Sequence, residues 1–201
     1  ARLADAAHEF GTQFRPLLLD LADAEARRQA LAELGREPIR LLVNNAAECV
    51  YESPLELPAE RLSRLFEINV VGLMDLTRSV AQRMGAGSQI VNLSSVVAQH
   101  LPAAKFAPYA ATKVALDCLS EALRLELHPR GIRVSSIAPG LVDTPIYDKV
   151  QGFQGARAKI REQVPTWLSA EDVAEAVLWV LDRPPHVVVS ELCILPSAQA
   201  R

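Results

Sequence analysis

The stretch Ile90–Gly140, IVNLSSVVAQHLPAAKFAPYAATKVALDCLSEALRLELHPRGIRVSSIAPG, decides the fold. One short apolar run, Gln89–Leu93, opens it and another, Ile132–Ile137, closes it. Between them the spacing predicts a helix over Pro108–His128, followed by Gly131 where a left-handed residue commonly ends a helix. Two short, nearly continuous apolar runs joined by a helix are what parallel strands buried on both faces look like. On the helix, Leu116, Leu119 and Leu123 form one apolar stripe, and Ala115, Cys118, Ala122 and Leu125 form a second set. One face suits the sheet; the other suits either a second subunit or cover by the chain itself.

Outward from this unit the same alternation continues. Further strands are expected at Arg15–Leu19, Ile39–Val43 and Leu192–Leu195, and further helices at Ala24–Leu34, Ala59–Met84 and Ala170–Leu181. The first ten residues read as a helix already under way. Asp23 can cap the helix at Ala24, Pro58 suits an opening turn, and Ser169 with Asp172 forms a Ser-x-x-Asp start. Gly35 and Gly85 fall just after helical stretches. The whole predicts one α/β domain over residues 1–201 with a doubly wound parallel sheet.

Composition narrows the function classes. A net charge of -3 provides no excess of Lys and Arg to neutralise a nucleic-acid backbone or an anionic membrane. No apolar run approaches the roughly 20 residues that cross a bilayer, and ARLADAAHEF does not read as a signal peptide. Cys49, Cys118 and Cys193 are widely spaced and lack the close Cys or His partners of a metal site, so no metal is expected and a reducing cytoplasm fits best.

Chemistry gathers around YAATK, Tyr109–Lys113. Residues four apart share a helix face, which brings the Lys113 ammonium towards the Tyr109 hydroxyl. A nearby positive charge favours phenolate and lowers a pKa that is ordinarily ~10, making the tyrosine an acid/base near neutrality. Upstream, IVNLSS ends a strand in Ser94 and Ser95, at the carboxyl end where open α/β sheets bind ligands. LLVNNAA, Leu41–Ala47, is a strand opening into small residues. Asn69 sits inside the helical segment FEINVVGLM, where asparagine is a poor helix former and suggests a side-chain task.

In order, NNAA (Asn44–Ala47), NVVG (Asn69–Gly72), NLSS (Asn92–Ser95), YAATK and RVSSIAPGLVDTP (Arg133–Pro145) resemble the short-chain dehydrogenase/reductase family along essentially the whole chain. The resemblance implies a Rossmann-like fold and an NAD(P)-dependent oxidoreductase. Hydride would pass between the nicotinamide and a small alcohol or ketone, because no side chain carries hydride. Tyr109 would exchange the proton with the substrate oxygen. Lys113 would tune the tyrosine and hold the nicotinamide ribose, Ser95 would orient the substrate oxygen, and Asn69 would anchor a relay water. Asn44, Ala46, Pro139, Gly140, Val142 and Thr144 would contact the cofactor with Tyr109 and Lys113, and Asp20 would lie at the adenine. Subgroup resemblance favours NADP, with NAD as the alternative, and a homodimer or homotetramer. The tail from Arg183 is similar to endings of family members acting on serine, allo-threonine and related 3-hydroxy acids. Substrate choice would lie in a loop at 141–167, where Tyr147, Phe153 and Trp167 are either lid or packing residues.

Three departures accompany the resemblance. Ala47 replaces the usual glycine. Fourteen residues separate Ser95 from Tyr109 where thirteen is commoner, which leaves Ser94 and Ser95 as rivals. The family's opening strand, TGxxxGxG loop, first helix and second strand have no counterpart upstream of Asp20. Such a loop presents backbone N–H groups to the pyrophosphate. In the order 3-2-1-4-5-6, the two missing strands would separate the strand at Arg15 from that at Ile39, so an N-terminally truncated, split sheet is expected. An incomplete sequence, a segment supplied elsewhere and a truncated relative whose fold has closed over the gap all remain open. The position that selects the ribose is missing too, with only Arg2 near it. A non-catalytic module acting through subunit assembly is therefore the alternative to an enzyme.

Overall fold

The computed structural model describes residues 2–150 and 152–200, so Ala1, Gln151 (within the expected 141–167 loop) and Arg201 lie outside it. The side chain of Arg2, the residue nearest the ribose-selecting position, also lies outside the described residues.

The chain begins with helix α1 (Arg2–Phe10) and a 3-10 turn, then an irregular stretch before α2 (Ala24–Glu33). Asp23 caps α2 by accepting from the N–H groups of Glu25 and Ala26. Strand β1 (Leu41–Asn44) leads to α3 (Ala59–Phe66), which passes through a π turn (Glu67–Gly72) into α4 (Leu73–Ala81). Then follow β2 (Gln89–Leu93), the long helix α5 (Ala107–Leu127) and β3 (Arg133–Pro139). Helix α6 (Gln154–Gln163), which the periodicity does not reveal, precedes α7 (Ala170–Leu181) and β4 (Glu191–Ile194). Ser169 and Asp172 complete the capping box at α7.

The four strands form one parallel sheet in the order β1-β2-β3-β4. Successive side chains point to opposite faces, and β2 shows it directly. Ile90 packs with Val80, Leu123 and Leu127 from the α4–α5 side. Val91 and Leu93 pack with Ile137 and Val180 on the α7 side.

Three expectations need correction. Arg15–Leu19 forms no strand, and Leu18 is 91% exposed; a strand needs a hydrogen-bonded neighbour, and none lies beside this stretch. The helix expected over Ala59–Met84 is not continuous, because the π turn carrying Asn69 interrupts it. After α4, the left-handed residue is Gly87 rather than Gly85.

Among the described residues no strand precedes β1, which stands at the edge of the sheet. Leu42 packs inward on the α4 side, while Leu41 and Val43 on the opposite face remain 42% and 40% exposed. The residues before β1 are held by helix contacts instead. Arg27 is buried, donates to Asp75 at 2.9 Å and to the Leu21 carbonyl, and lies 3.6 Å from Glu67. Gly72 makes this approach possible, since a Cβ there would collide with the Leu21 carbonyl.

Candidate active site

The carboxyl ends of the strands open onto a cavity of about 750 Å³, within the size range of small-ligand sites. Tyr109 and Lys113 enter it from the first turns of α5, Ser94 and Ser95 from just past β2, Pro139 from the last position of β3, and Gly140, Val142 and Thr144 from the loop after it. The sheet ends there because each strand gives way to small or turn-forming residues, which places ligand contacts where parallel sheets offer them.

Lys113 is buried and donates to the Leu93 carbonyl at 2.6 Å, with its ammonium 5.7 Å from the Tyr109 ring centroid. Desolvation lowers its pKa to about 8, against opposing pulls from Asp117 and Cys49. For Tyr109, burial dominates and pushes the phenol well above its usual range; Cys49 and Tyr147 push the same way, and a hydrogen bond with Ser95 pulls it down. Lys113 is therefore not what governs the isolated phenol, because its ammonium is engaged by the Leu93 carbonyl and lies over the ring. Burial also pushes the Cys49 thiol up to about 12, so Cys49 is an apolar wall rather than a nucleophile.

The two serines divide their tasks. Ser95 meets Tyr109, and its Oγ also accepts from the Val97 N–H at 3.4 Å. Ser94 is buried at the cavity wall with its Oγ lacking a partner. A buried hydroxyl without a hydrogen bond is costly. Its position fits a polar group of a bound ligand.

Asn69, wholly buried, acts by holding other elements. Its Oδ1 accepts from the Glu48 N–H at 2.8 Å, and its Nδ2 donates to the Glu48 carbonyl at 2.8 Å and to Thr112 Oγ1 at 3.0 Å. The loop after β1 is thus tied to α5 one residue before Lys113. Asn44 is turned beneath the sheet instead of into the cavity. Its Nδ2 donates to Thr77 and Asn92, and Asn92 donates in turn to Ser120. Neither Asn44 nor Ala46 lines the cavity; Asn45 and Ala47 do. Asp20 also stands away from it, accepting from the Ala22 N–H and lying 3.6 Å from Arg64.

Several wall residues escape sequence reading. Gln199, beyond β4, accepts from the Leu141 N–H at 2.9 Å and fills the space beside Gly140. Position past a strand's carboxyl end was the available signal. Tyr51 and Lys159 line the wall as well, from a loop and from α6. Phe153 and Trp167 are buried packing residues; Tyr147 stacks on Phe153 while facing the cavity. Among the described residues no cluster of His, Cys, Asp and Glu can hold a metal ion, and no helix is long and apolar enough to cross a membrane.

The nicotinamide end of a dinucleotide fits this wall: an unpartnered Ser94 hydroxyl, the Lys113 ammonium, and the loop from Pro139 to Thr144 converge on it. Comparison with known proteins agrees. The family model described as Enoyl-(Acyl carrier protein) reductase matches residues 1–191. Serine 3-dehydrogenase from Rhizobium radiobacter is 32% identical over 207 residues, spanning 99% of this chain and 81% of that protein. L-xylulose reductase from Mesocricetus auratus is 36% identical over 169 residues, spanning 81% of this chain and 68% of that protein. A solved structure, the closed form of serine dehydrogenase complexed with NADP+, superposes with a TM-score of 0.89 at 31% identity, covering 100% of this chain and 83% of that one. With the sheet, the Tyr109–Lys113 helix and these relatives in agreement, the chain belongs to the short-chain dehydrogenase/reductase family.

Proposed function

We propose that the chain is an NADP-dependent oxidoreductase of a small alcohol or ketone, with 3-hydroxy acids the first class to test. The observation that carries this reading is the meeting of Tyr109, Ser95 and Lys113 in one cavity at the carboxyl ends of β2 and β3. When bound, the nicotinamide ring supplies the hydride acceptor or donor. Ser95 donates to the substrate oxygen and orients it. Tyr109 takes the hydroxyl proton as the alcohol is oxidised, or returns one to the new oxygen as the ketone is reduced. Lys113 holds the ribose and stabilises charge on the tyrosine oxygen once substrate brings them together. Asn69 fixes the loop beside the lysine and anchors a relay water. The 141–167 segment closes over the substrate.

NADP is favoured over NAD by the NADP+ complex of the similar serine dehydrogenase. Free Cys49, Cys118 and Cys193 agree with a cytoplasmic location. The exposed apolar stripe of α5 suits a homodimer or homotetramer.

A second reading, a non-catalytic module working through subunit assembly, is favoured by two observations. Among the described residues no glycine-rich turn faces the cavity, and the edge of β1 is bare. Titrating the 201-residue chain with NADPH and NADH, followed by nicotinamide fluorescence and by turnover of 3-hydroxy acids, separates the two. Binding with turnover that falls at least about 1,000-fold in Tyr109→Phe is expected of the enzyme. No binding by the wild-type chain that is also not restored when the family's glycine-rich segment is added upstream selects the module, binding restored by that segment supports the enzyme, and retained turnover in Tyr109→Phe overturns the catalytic assignment.

A further inference from the structure

Helix α6 sorts its positive charges. Ala156, Lys159, Ile160 and Gln163 share one helical face and line the cavity. Arg157 and Arg161 face away from it. Arg157 donates to Asp148 at 2.8 Å and Asp143 at 3.1 Å; Arg161 pairs with Asp143 at 2.7 Å, and its guanidinium lies 4.3 Å from the Trp167 ring centroid. The two arginines thereby fasten α6 to the loop after β3. Lys159 has no ion-pair partner among the described residues. Among the described residues the other charged residue of the wall is Lys113, and no aspartate or glutamate lines the cavity.

This distribution has a chemical consequence. Lys159 is an exposed member of the wall, and with buried Lys113 it gives a largely apolar cavity a positive potential that a ligand's acid group can satisfy, the more so as the bound ligand excludes water. A ligand's own ammonium would find no carboxylate there, and a desolvated charge without a partner is expensive. Resting on the oxidoreductase reading, we infer that Lys159 is a specificity-determining residue: it receives the acid group of an anionic substrate that carries no ammonium. The preferred substrates are then hydroxy acids and oxo acids rather than zwitterionic amino acids, which distinguishes this site from what the names of its serine-oxidising relatives suggest.

Three probes test it: L-serine, 3-hydroxy-2-methylpropanoate (a methyl group in place of the ammonium), and the methyl ester of the latter. With NADP+, the acid is expected to exceed both others in kcat/KM by about tenfold or more. In Lys159→Met the acid-to-ester ratio should fall about tenfold, chiefly through KM, and Lys159→Arg should keep it. Equal or better use of L-serine overturns the inference. So does a Lys159→Met ratio that stays put, or an effect of that variant confined to NADPH affinity, which would assign the lysine to the cofactor. Lack of turnover with every probe would instead count against the oxidoreductase reading. Saturation-transfer NMR then decides the inference by itself: selective contact of the acid with the chain, lost in Lys159→Met, supports it, and contact that is equal for all probes or missing for the acid overturns it.

Discussion

Lys113 is the residue where electrostatics and stability meet. Its ammonium is buried against the Leu93 carbonyl with its pKa lowered to about 8, whereas in the unfolded chain it titrates near ~10.4. Below pH 8 both states are protonated, and the full cost of burying the charge weighs on the fold. Between about pH 8 and pH 10 the unfolded state holds more protons at this lysine, so the lysine's contribution to stability rises with pH. The buried Cys49 thiol opposes this in the same window, since its pKa of about 12 lets the unfolded thiol ionise first. In urea unfolding the stability of the wild type minus that of Lys113→Met should therefore rise by up to about 3 kcal/mol across the window, while the variant by itself loses stability; a constant difference between the two would assign the pH dependence to another group. Above about pH 10 the buried Tyr109 works the other way, since its raised pKa lets the unfolded state ionise first. That Tyr109, Lys113 and the Ser94–Ser95 pair share one cavity was legible in the sequence because spacing along a helix and the end of a strand place them. Their titration was not, because it depends on how densely other segments pack around them. Asn44 shows the same division: its place at the end of β1 was readable, while its rotation towards Thr77 and Asn92 depends on partners 33 and 48 residues away.

Elements report how local sequence and tertiary contact compete. The motif NVVG reads as part of a helix, and the structure makes it a π turn, a feature frequently found at functional sites. The widened turn lets Asn69 reach both Glu48 and Thr112, and it leaves Gly72 facing the Leu21 carbonyl. Helix periodicity carries no sign of either contact, because both partners are distant in sequence. Gly72 is thus a point of close approach, where a methyl group must displace backbone. Gly72→Ala is expected to destabilise the chain by about 1–3 kcal/mol, despite alanine's higher helix propensity, as read by the urea midpoint. A neutral or stabilising effect would mean that the segment before α2 is not docked there. The expected strand at Arg15–Leu19 fails for the complementary reason. Its three leucines make a short apolar run, but Pro16 lacks an N–H to donate, and such a run yields a strand only where a neighbouring edge accepts its hydrogen bonds. Helix α6 was unreadable from periodicity because its polar face bears Arg157 and Arg161, whose role is ion pairing, and its cavity face mixes alanine, lysine and glutamine.

At the scale of the molecule, two apolar surfaces stand open among the described residues. One is the β1 face with Leu41 and Val43; the other lies on α5, where Val114 and Leu125 are 50% and 61% exposed along a stripe that includes Cys118. The stripe of Leu116 and Leu123 on the same helix is buried against the sheet, so the two-faced pattern read in the sequence corresponds to one face turned inward and one outward. Val71, from the π turn, adds a half-exposed apolar side chain to an element packed beside α5. The two surfaces differ in what can cover them. A sheet face beside an unpaired edge accepts a strand or helix, while a helical stripe of valine, cysteine and leucine suits the same stripe on a second copy, packed about a twofold axis. Self-association through α5 would bury these residues without touching the cavity entrance, which opens at the strand ends. Val114→Lys with Leu125→Lys places four like charges at such a twofold interface. If the proposed homodimer or homotetramer forms through α5, light scattering should then shift from its mass towards the 21.9 kDa monomer, with circular dichroism and NADPH fluorescence unchanged. The same substitutions at Leu41 and Val43 should leave the mass as it is. If instead the β1 pair dissolves the assembly and the α5 pair does not, the subunits meet through the sheet edge and the outward stripe of α5 has another partner.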